Sequence, residues 1–493
     1  PERRWFADKD SRTISTKVSV AIPIEHDGGR IAAVIVESNT RQGVSRYFLP
    51  LTVRWSRYTA IDKSPAAILA AVRRGASEGT LLDATAEPDF ISVVLKNIRG
   101  AETIVSNGTS LEFRPTSVFD AAPPPEIKTI VPIDREQSNS SVIVDSKYVV
   151  KVFRRVTAGV HPEFEMGRYL ADVAHFQNSP ALLGTVELVE GESRTALCAV
   201  HAFIENQGDA WGITGASLDR LIDEQRLVPD EPATDTSEMT SMLQRMRQIG
   251  RRTAELHRAL TSYPGVDGFA PEPISQEDSA RWSEAIMSRA SHVAEMLQEN
   301  ADRLGEPARA LAQRLRNHRE ATCSHIEGLK STNFTGSKIR VHGDFHLGQV
   351  LIAKDDAYIL DFEGEPRQSL DQRRVKEPPA RDVAGFLRSI DYATSAAIDR
   401  APNITAEERS SLGPWIRSWG ARLSGAFWES YRETLARMDI WPADEAKAQE
   451  LLNLFQLEKA FYEIEYEVTN RPSWAHIPLE GTLRILAERG VLS

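Results

Sequence analysis

One stretch, VHGDFHLGQVLIAKDDAYILDFEGEP (Val341–Pro366), constrains this chain more than any other. Two apolar, strand-like runs flank the polar turn Lys354-Asp355-Asp356. Asp344 and Gln349 share the loop before the first run, and Asp361 and Glu363 follow the second. A hairpin returns the outer ends of its strands to one edge, so these four side chains would converge. They are either solvated acids in ordinary turns or a metal and phosphate site.

The spacing favours the second reading. Phosphoryl transfer needs a carboxylate at the acceptor hydroxyl and oxygen ligands for a divalent cation beside the phosphates. Asp344 and Gln349 form D-x-x-x-x-Q, the spacing of a kinase catalytic-loop Asp and its metal-binding Asn. Gln carries the same carboxamide oxygen on a longer arm. Asp361, closing YILDFE, takes the place of the metal-binding Asp of D-F-G. Glu363 stands where that pattern has glycine.

A length of 493 residues implies two or three structural units. A net charge of -11 argues against a nucleic-acid partner and against anionic lipid. No apolar stretch is long enough to cross a membrane as a helix, and no secretory signal opens the chain. Cys198 and Cys323 are too few and too far apart for a disulfide framework, and as buried thiols they fit a reducing cytoplasm. The chain begins with Pro1, which fits a segment of a longer protein.

The first 120 or so residues read as β. KVSVAIPIE (Lys17–Glu25) alternates Val18, Val20, Ile22 and Ile24, and RIAAVIVES, YFLPLTVRW and DFISVVLKNI read as further strands. AAPPPE (Ala121–Glu126) reads as a linker. SVIVDSKYVVKVF predicts a hairpin around Asp145-Ser146, HPEFEMGRYLADVAHF a helix, and ALCAVHAFIE a strand. Beyond about Asp209 helical periodicity dominates, as in Met242, Met246, Ile249, Thr253, Leu256 and Leu260. Residues 225–238 read as a surface loop.

A kinase needs a cation for the nucleotide phosphates. YVVKVF puts Lys151 in an apolar strand, as in V-A-I-K. A lysine there needs a helix carboxylate to orient it; Glu163 and Glu165 are both on the next helix, and Glu165 is favoured as lying one turn in. REQSNSS, with Ser138, Asn139, Ser140 and Ser141, is small and polar and would cover phosphates with backbone N–H groups. The segment holding Ala202 and Ile204 suits a hinge whose backbone meets adenine edges. RDVAGFLRSIDYA (Arg381–Ala393) reads as a core helix whose Asp382 braces the catalytic loop. LEKAFYEIEYEVTNRPSWAHIPL (Leu457–Leu479) reads as a helix with Lys459, Tyr462, Glu463, Tyr466, Asn470, Arg471 and Trp474. It presents either an ordinary packed and solvated pair of faces or aromatic and polar groups for a sugar.

Taken in order, RRWF, EQSNSS, KVFRRV, HPEFEMGRYL, ENQGDAW, RRTAELHRAL, VHGDFHLGQVL, DFEGEP, RDVAGFLRSIDYA and LEKAFYEIEYEVTNRPSW resemble the maltokinase family, related to aminoglycoside phosphotransferases. The H-G-D core alone points only to the wider phosphotransferase group. RWFADKD lacks the glycine of the family's Gly-Lys pair. The resemblance implies an α+β, bilobal protein-kinase-like fold with a β-rich N-terminal cap: cap 1–125, N-lobe 126–205, helical C-lobe 206–493. It implies ATP and Mg²⁺, maltose as acceptor, maltose 1-phosphate as product, α-glucan synthesis from trehalose-derived maltose, and a link to a trehalose synthase. Asp344 would be the base, Gln349 and Asp361 the metal ligands, and Lys151 with Glu165 the phosphate holders. His342, Glu363 and the Lys459–Trp474 segment would lie along the acceptor. Two alternatives stay open: a kinase of another acceptor such as glucosamine or an aminoglycoside, and a non-catalytic pseudokinase.

Overall fold

The structure is a computed structural model that describes residues 5–6, 13–55, 67–119, 126–133, 138–227, 237–436 and 438–492. Ala121–Pro125 of the expected linker, Arg135–Gln137 of the polar segment before Ser138, and 228–236 of the expected surface loop lie outside the described residues. The chain divides into two compact units: 1–205 with 366–373, and 206–365 with 374–493.

In the first unit, β1 (Ser15–His26), β2 (Gly29–Thr40), β3 (Gly43–Arg54), β4 (Ile68–Arg74) and β5 (Ser77–Asp83) form an antiparallel sheet in the order β1-β2-β3-β5-β4. Val20, Ile22 and Ile24 are buried as the alternation predicts, but Val18 is exposed. A register shift between Val18 and Val20 turns it outward. The expected strand at DFISVVLKNI is instead a helix, α1 (Pro88–Arg99). β-branched content suggested a strand, but Pro88 at the first helical position and Phe90/Ile91, Val94/Leu95 and Ile98 at helical spacing decide otherwise.

β6 (Thr103–Ser106), β7 (Thr109–Pro115), β8 (Ile130–Ile133), β9 (Asn139–Val144), β10 (Tyr148–Phe153), β12 (Leu182–Glu190) and β13 (Ser193–Ala202) form a second sheet, ordered β6-β7-β12-β13-β10-β9-β8, while the short β11 (Arg155–Val156) pairs β3. The expected hairpin at Asp145-Ser146 is present, both residues having φ near +50°. Cap strands therefore continue into the sheet that carries Lys151. One apolar core, including Ile22, Phe90, Ile98, Phe113, Val150 and Val200, serves both sheets and α1. Gly184 lets α1 lie against β12: a Cβ there would be 2.3 Å from Ile98.

α2 (Pro162–Arg168) runs into a π-helical turn at Tyr169–Val173, with Phe164, Met166, Tyr169 and Leu170 buried. Cys198 is buried, which pushes its thiol up to about 12, and Cys323 is partly exposed.

The second unit opens with β14 (Gly208–Asp209), α3 (Ala210–Leu227), α4 (Ser237–Ala259) and α5 (Gln276–Glu299). β15 (Glu272–Pro273) pairs β16 (Ser337–Lys338), and α6 (Ala308–Asn317) and α7 (Arg319–Gly328) precede the hairpin. β17 (Val350–Ala353) and β18 (Asp356–Ile359) are that hairpin, joined at Lys354-Asp355, with β14 alongside β17. Between them and the last helices, α8 (Leu370–Arg373) belongs to the first unit. α9 (Ala380–Arg400), α10 (Ala406–Leu435), α11 (Glu445–Asn470) and α12 (His476–Glu488) complete the second. The expected helix over Leu457–Leu479 is two helices. Pro472 disfavours α geometry at Arg471, which has φ -145° and ends α11. No helix of the described residues is long and apolar enough to cross a membrane.

Candidate active site

The catalytic loop is held from below by buried polar groups. Asp382, in the first turn of α9, accepts hydrogen bonds from the backbone N–H of His342 at 2.7 Å and of Gly343 at 2.9 Å. Its other partner is His257 Nε2 at 3.1 Å. Tyr431 OH lies 2.8 Å from His257 Nδ1 and accepts from Trp441 Nε1 at 2.8 Å. One set of protons satisfies every group: Trp N–H to Tyr, Tyr O–H to His, His Nε2–H to Asp. Burial opposes the Asp382 charge, but the bonds from His257 and Gly343 hold its carboxyl below the usual range. The brace read from the sequence is thus present. α9 also approaches closely, since a Cβ on Gly385 would lie 2.7 Å from the Phe345 carbonyl.

His342 has a different place from the expected one. It is 1% exposed, its Nε2 donates to the Leu360 carbonyl at 2.6 Å, and its Nδ1 accepts from the Asp344 backbone N–H at 3.4 Å. With both ring nitrogens engaged it is a latch tying the catalytic loop to the end of β18, not an acceptor contact.

The hairpin ends do converge. Gln349 lies 3.2 Å from the Asp361 carboxylate through its carboxamide, and Leu360 N–H donates to the Gln349 carbonyl at 2.9 Å. Asp361 has φ +62°, a backbone conformation held by these surroundings. Gly364, one residue after Glu363, has φ +74° and supplies the freedom expected one position earlier. A carboxylate beside an amide whose oxygen can rotate inward suits Mg²⁺, which takes a few protein oxygens plus phosphates and water.

Asp344 Oδ1 accepts from Lys459 Nζ at 3.1 Å. Burial alone would raise the Asp344 pKa, but Lys459 holds it below the usual carboxylate range. Lys459 also lies 4.9 Å from the Tyr462 ring centroid. Both residues line a cavity of about 500 Å³, with Tyr462, Glu463, Tyr466 and Arg471 from the expected acceptor set.

Glu463 accepts from Arg388 at 2.5 Å, and burial keeps its carboxyl above the usual range against that cation. Glu467 accepts from Arg471 at 2.6 Å and from Tyr392 OH at 2.7 Å. Glu363, Asn470 and Trp474 do not line the cavity. Trp474 stacks on Tyr392 at 6.2 Å, and Asn470 Nδ2 donates to the Tyr466 carbonyl at 2.8 Å. Sequence reading missed Asp209, Trp211, His346 and Tyr392 as lining groups. Glu467, four residues after Glu463, is legible from helical spacing; the sequence places Asp209 and Trp211 only in the hinge segment.

The first unit holds the expected nucleotide residues. Lys151 is 9% exposed at its side chain and pairs with Glu163 Oε2 at 2.9 Å. This corrects Glu165. Glu163 is buried at the first turn of α2, where its other oxygen meets His201 Nε2 at 2.9 Å, whereas Glu165 is partly exposed. Burial opposes the Glu163 charge, but Lys151 and His201 hold its carboxyl far below the usual range.

Asn139, Ser140 and Ser141 also move from loop to strand. They pair with Phe153, Val152 and Lys151 across β9 and β10, Ser141 is buried, and Ser140 Oγ accepts from Arg154 Nε at 2.8 Å. Ser138 is exposed just before β9; Ala202 ends β13, and Ile204 follows it.

A cation-bearing strand with its helix carboxylate, and a braced loop–hairpin with Asp344, Gln349 and Asp361, define a kinase-like phosphotransferase. The chain belongs to the phosphotransferase enzyme family, whose model matches residues 129–441. Residues 1–87 match the maltokinase N-terminal cap domain, so this is a maltokinase-family kinase.

Two curated relatives are glucosamine kinases. The one from Streptacidiphilus jiangxiensis is 28% identical over 72% of this chain and 73% of its own. The one from Mycolicibacterium smegmatis (strain ATCC 700084 / mc(2)155) is 26% identical over 73% of this chain and 80% of its own. A solved glucosamine kinase in complex with glucosamine, ADP and inorganic phosphate shares the fold, with TM-score 0.68, 22% identity, and coverage of 98% of this chain and 96% of that one.

Proposed function

We propose that this kinase transfers the γ-phosphoryl group of ATP to the reducing-end hydroxyl of maltose, giving maltose 1-phosphate. The observation that carries the acceptor is the charge state of the cavity. Its glutamates are already matched, Glu463 by Arg388 and Glu467 by Arg471, beside the rings of Tyr392, Tyr462 and Tyr466. Cation-paired glutamates and aromatic faces suit a neutral sugar better than an ammonium, and Asp209, the other acid of the cavity besides Asp344, already accepts from Gly212 N–H at 2.7 Å. The cap and the sequence segments of the maltokinase type support the same acceptor.

In this reading Asp344 accepts a hydrogen bond from the attacking hydroxyl and aims its oxygen at phosphorus. Its low pKa makes it an orienting carboxylate that takes the proton late, in keeping with a loose transition state. Lys459 keeps it ionised. Lys151, set by Glu163, binds nucleotide phosphates, with Ser138 and the backbone near Ala202 and Ile204 as further nucleotide contacts. Gln349 and Asp361 would hold Mg²⁺, whose charge when bound offsets that of the phosphates. Glu363 is a candidate for ordering water beside that cation. A product phosphorylated at the reducing end would serve α-glucan synthesis, and association with a trehalose synthase belongs to the same proposal.

Glucosamine is the second reading, favoured by the two curated relatives. ADP release measured with maltose, glucose, glucosamine and trehalose separates them. Maltose should give the highest kcat/KM, and Asp344→Asn should lower kcat at least ~100-fold with an unchanged melting curve. Preference for glucosamine would overturn the acceptor, and a fully active Asp344→Asn enzyme would overturn the site.

A further inference from the structure

We propose that His346 is an acceptor-contacting residue, donating a hydrogen bond from Nε2–H to the sugar oxygen next to the reacting hydroxyl. The proposal rests on Asp344 as the orienting carboxylate.

His346 lies two residues after Asp344 and caps the 3₁₀ turn Leu347–Gln349. Its Nδ1 accepts from the Gly348 backbone N–H at 3.0 Å. A backbone N–H can only donate, so Nδ1 must carry its lone pair, and the ring's single proton sits on Nε2. Protonating both nitrogens would set two donors against each other.

The ring lines the cavity beside Asp344, Gly348, Ser389 and Lys459. No hydrogen bond among the described residues engages Nε2, so this donor is left available to a molecule bound in the cavity that His346 lines. Gly348 leaves room for the ring, because a Cβ there would lie 2.9 Å from His346 Cε1.

A carboxylate acceptor and a fixed neutral donor thus stand two residues apart on one loop. They match the two sides of a hydroxyl-bearing carbon: the carboxylate takes the reacting O–H, and the imidazole donates to the adjacent oxygen. With both bonds made, the reacting carbon and its hydroxyl are fixed relative to Asp344, which narrows the directions the oxygen's lone pairs can take. That is a positional requirement on the acceptor and none on the nucleotide.

His346→Asn tests this, since asparagine is a favoured capping residue that can still accept from Gly348 N–H, while its short side chain withdraws the donor from the cavity. The measurements are kcat/KM for the sugar acceptor, KM for ATP, acceptor-free ATP hydrolysis and the melting temperature. The inference expects kcat/KM for the sugar to fall roughly 10-fold with the other three unchanged. An unchanged sugar kcat/KM would overturn it. Equal losses in sugar transfer and acceptor-free hydrolysis would also overturn it, assigning the ring to loop shape or to the phosphates. Asp344→Asn run in parallel keeps the failures apart: if that variant stays active, the underlying site reading fails whatever His346 does.

Discussion

Glu163→Gln is the sharpest test of how the nucleotide lysine is held. The glutamate joins Lys151 at 2.9 Å and His201 at 2.9 Å, with side-chain exposures of 9%, 16% and 4% for Lys151, His201 and Glu163. At an effective dielectric of about 20, two charges at that distance attract by roughly 6 kcal/mol. Desolvation cancels much of this, so the pair is worth far less as net stability. What the mutation reveals is the charge left behind: removing one partner of a buried pair costs about 3–5 kcal/mol. Glutamine keeps an oxygen toward Lys151, which places the expected loss at the lower end, near ~3 kcal/mol.

Urea unfolding and KM for ATP, measured on Glu163→Gln and Glu165→Gln side by side, are the assay. Glu163→Gln should lower the unfolding midpoint and raise KM for ATP, and Glu165→Gln should do neither. The pH dependence has a definite sign. The folded Glu163 pKa lies well below its ordinary value of 4.5, so its stabilisation is complete above that pH and is lost as pH falls toward the folded value. The variant should therefore match the wild type more closely in acid than at pH 7. A Glu163→Gln protein as stable as wild type at pH 7, or an Glu165→Gln protein that loses ATP affinity, would refute the reasoning.

Two further outcomes follow from the second unit. Lys459→Met removes the cation that holds the Asp344 pKa down. The acid limb of its pH profile for kcat/KM should move to higher pH, and its turnover at neutral pH should fall about 10-fold or more, as for losing a charged hydrogen bond; an unmoved acid limb would show that Lys459 does not set the Asp344 charge. Asp361→Asn should raise the Mg²⁺ concentration for half-maximal rate about 10-fold or more, whereas an unchanged Mg²⁺ requirement would remove Asp361 from the metal set.

Local chemistry made much of the site legible. D-x-x-x-x-Q, a short hairpin and a closing D-F-E suffice to bring Gln349 to Asp361, because a two-strand hairpin has little freedom in where its ends meet. The Asp382 brace was also legible, since an acid in the first turn of a buried helix needs donors. By contrast, Glu163 and Glu165 are two residues apart on one short helix, and periodicity alone ranked them wrongly. Only the packing of α2 against β10 and β13 selects the oxygen that reaches both Lys151 and His201.

The sequence by itself thus determined the reaction class, the hairpin and the meeting of Gln349 with Asp361, because these depend on neighbours within about twenty residues. Tertiary structure decided what depends on distant neighbours. It engaged both nitrogens of His342 and so made it a latch, turned DFISVVLKNI into a helix over a shared core, and matched Glu463 and Glu467 with Arg388 and Arg471. Which acids in the cavity keep a free charge is a property of the packed cavity, and the acceptor reading rests on it.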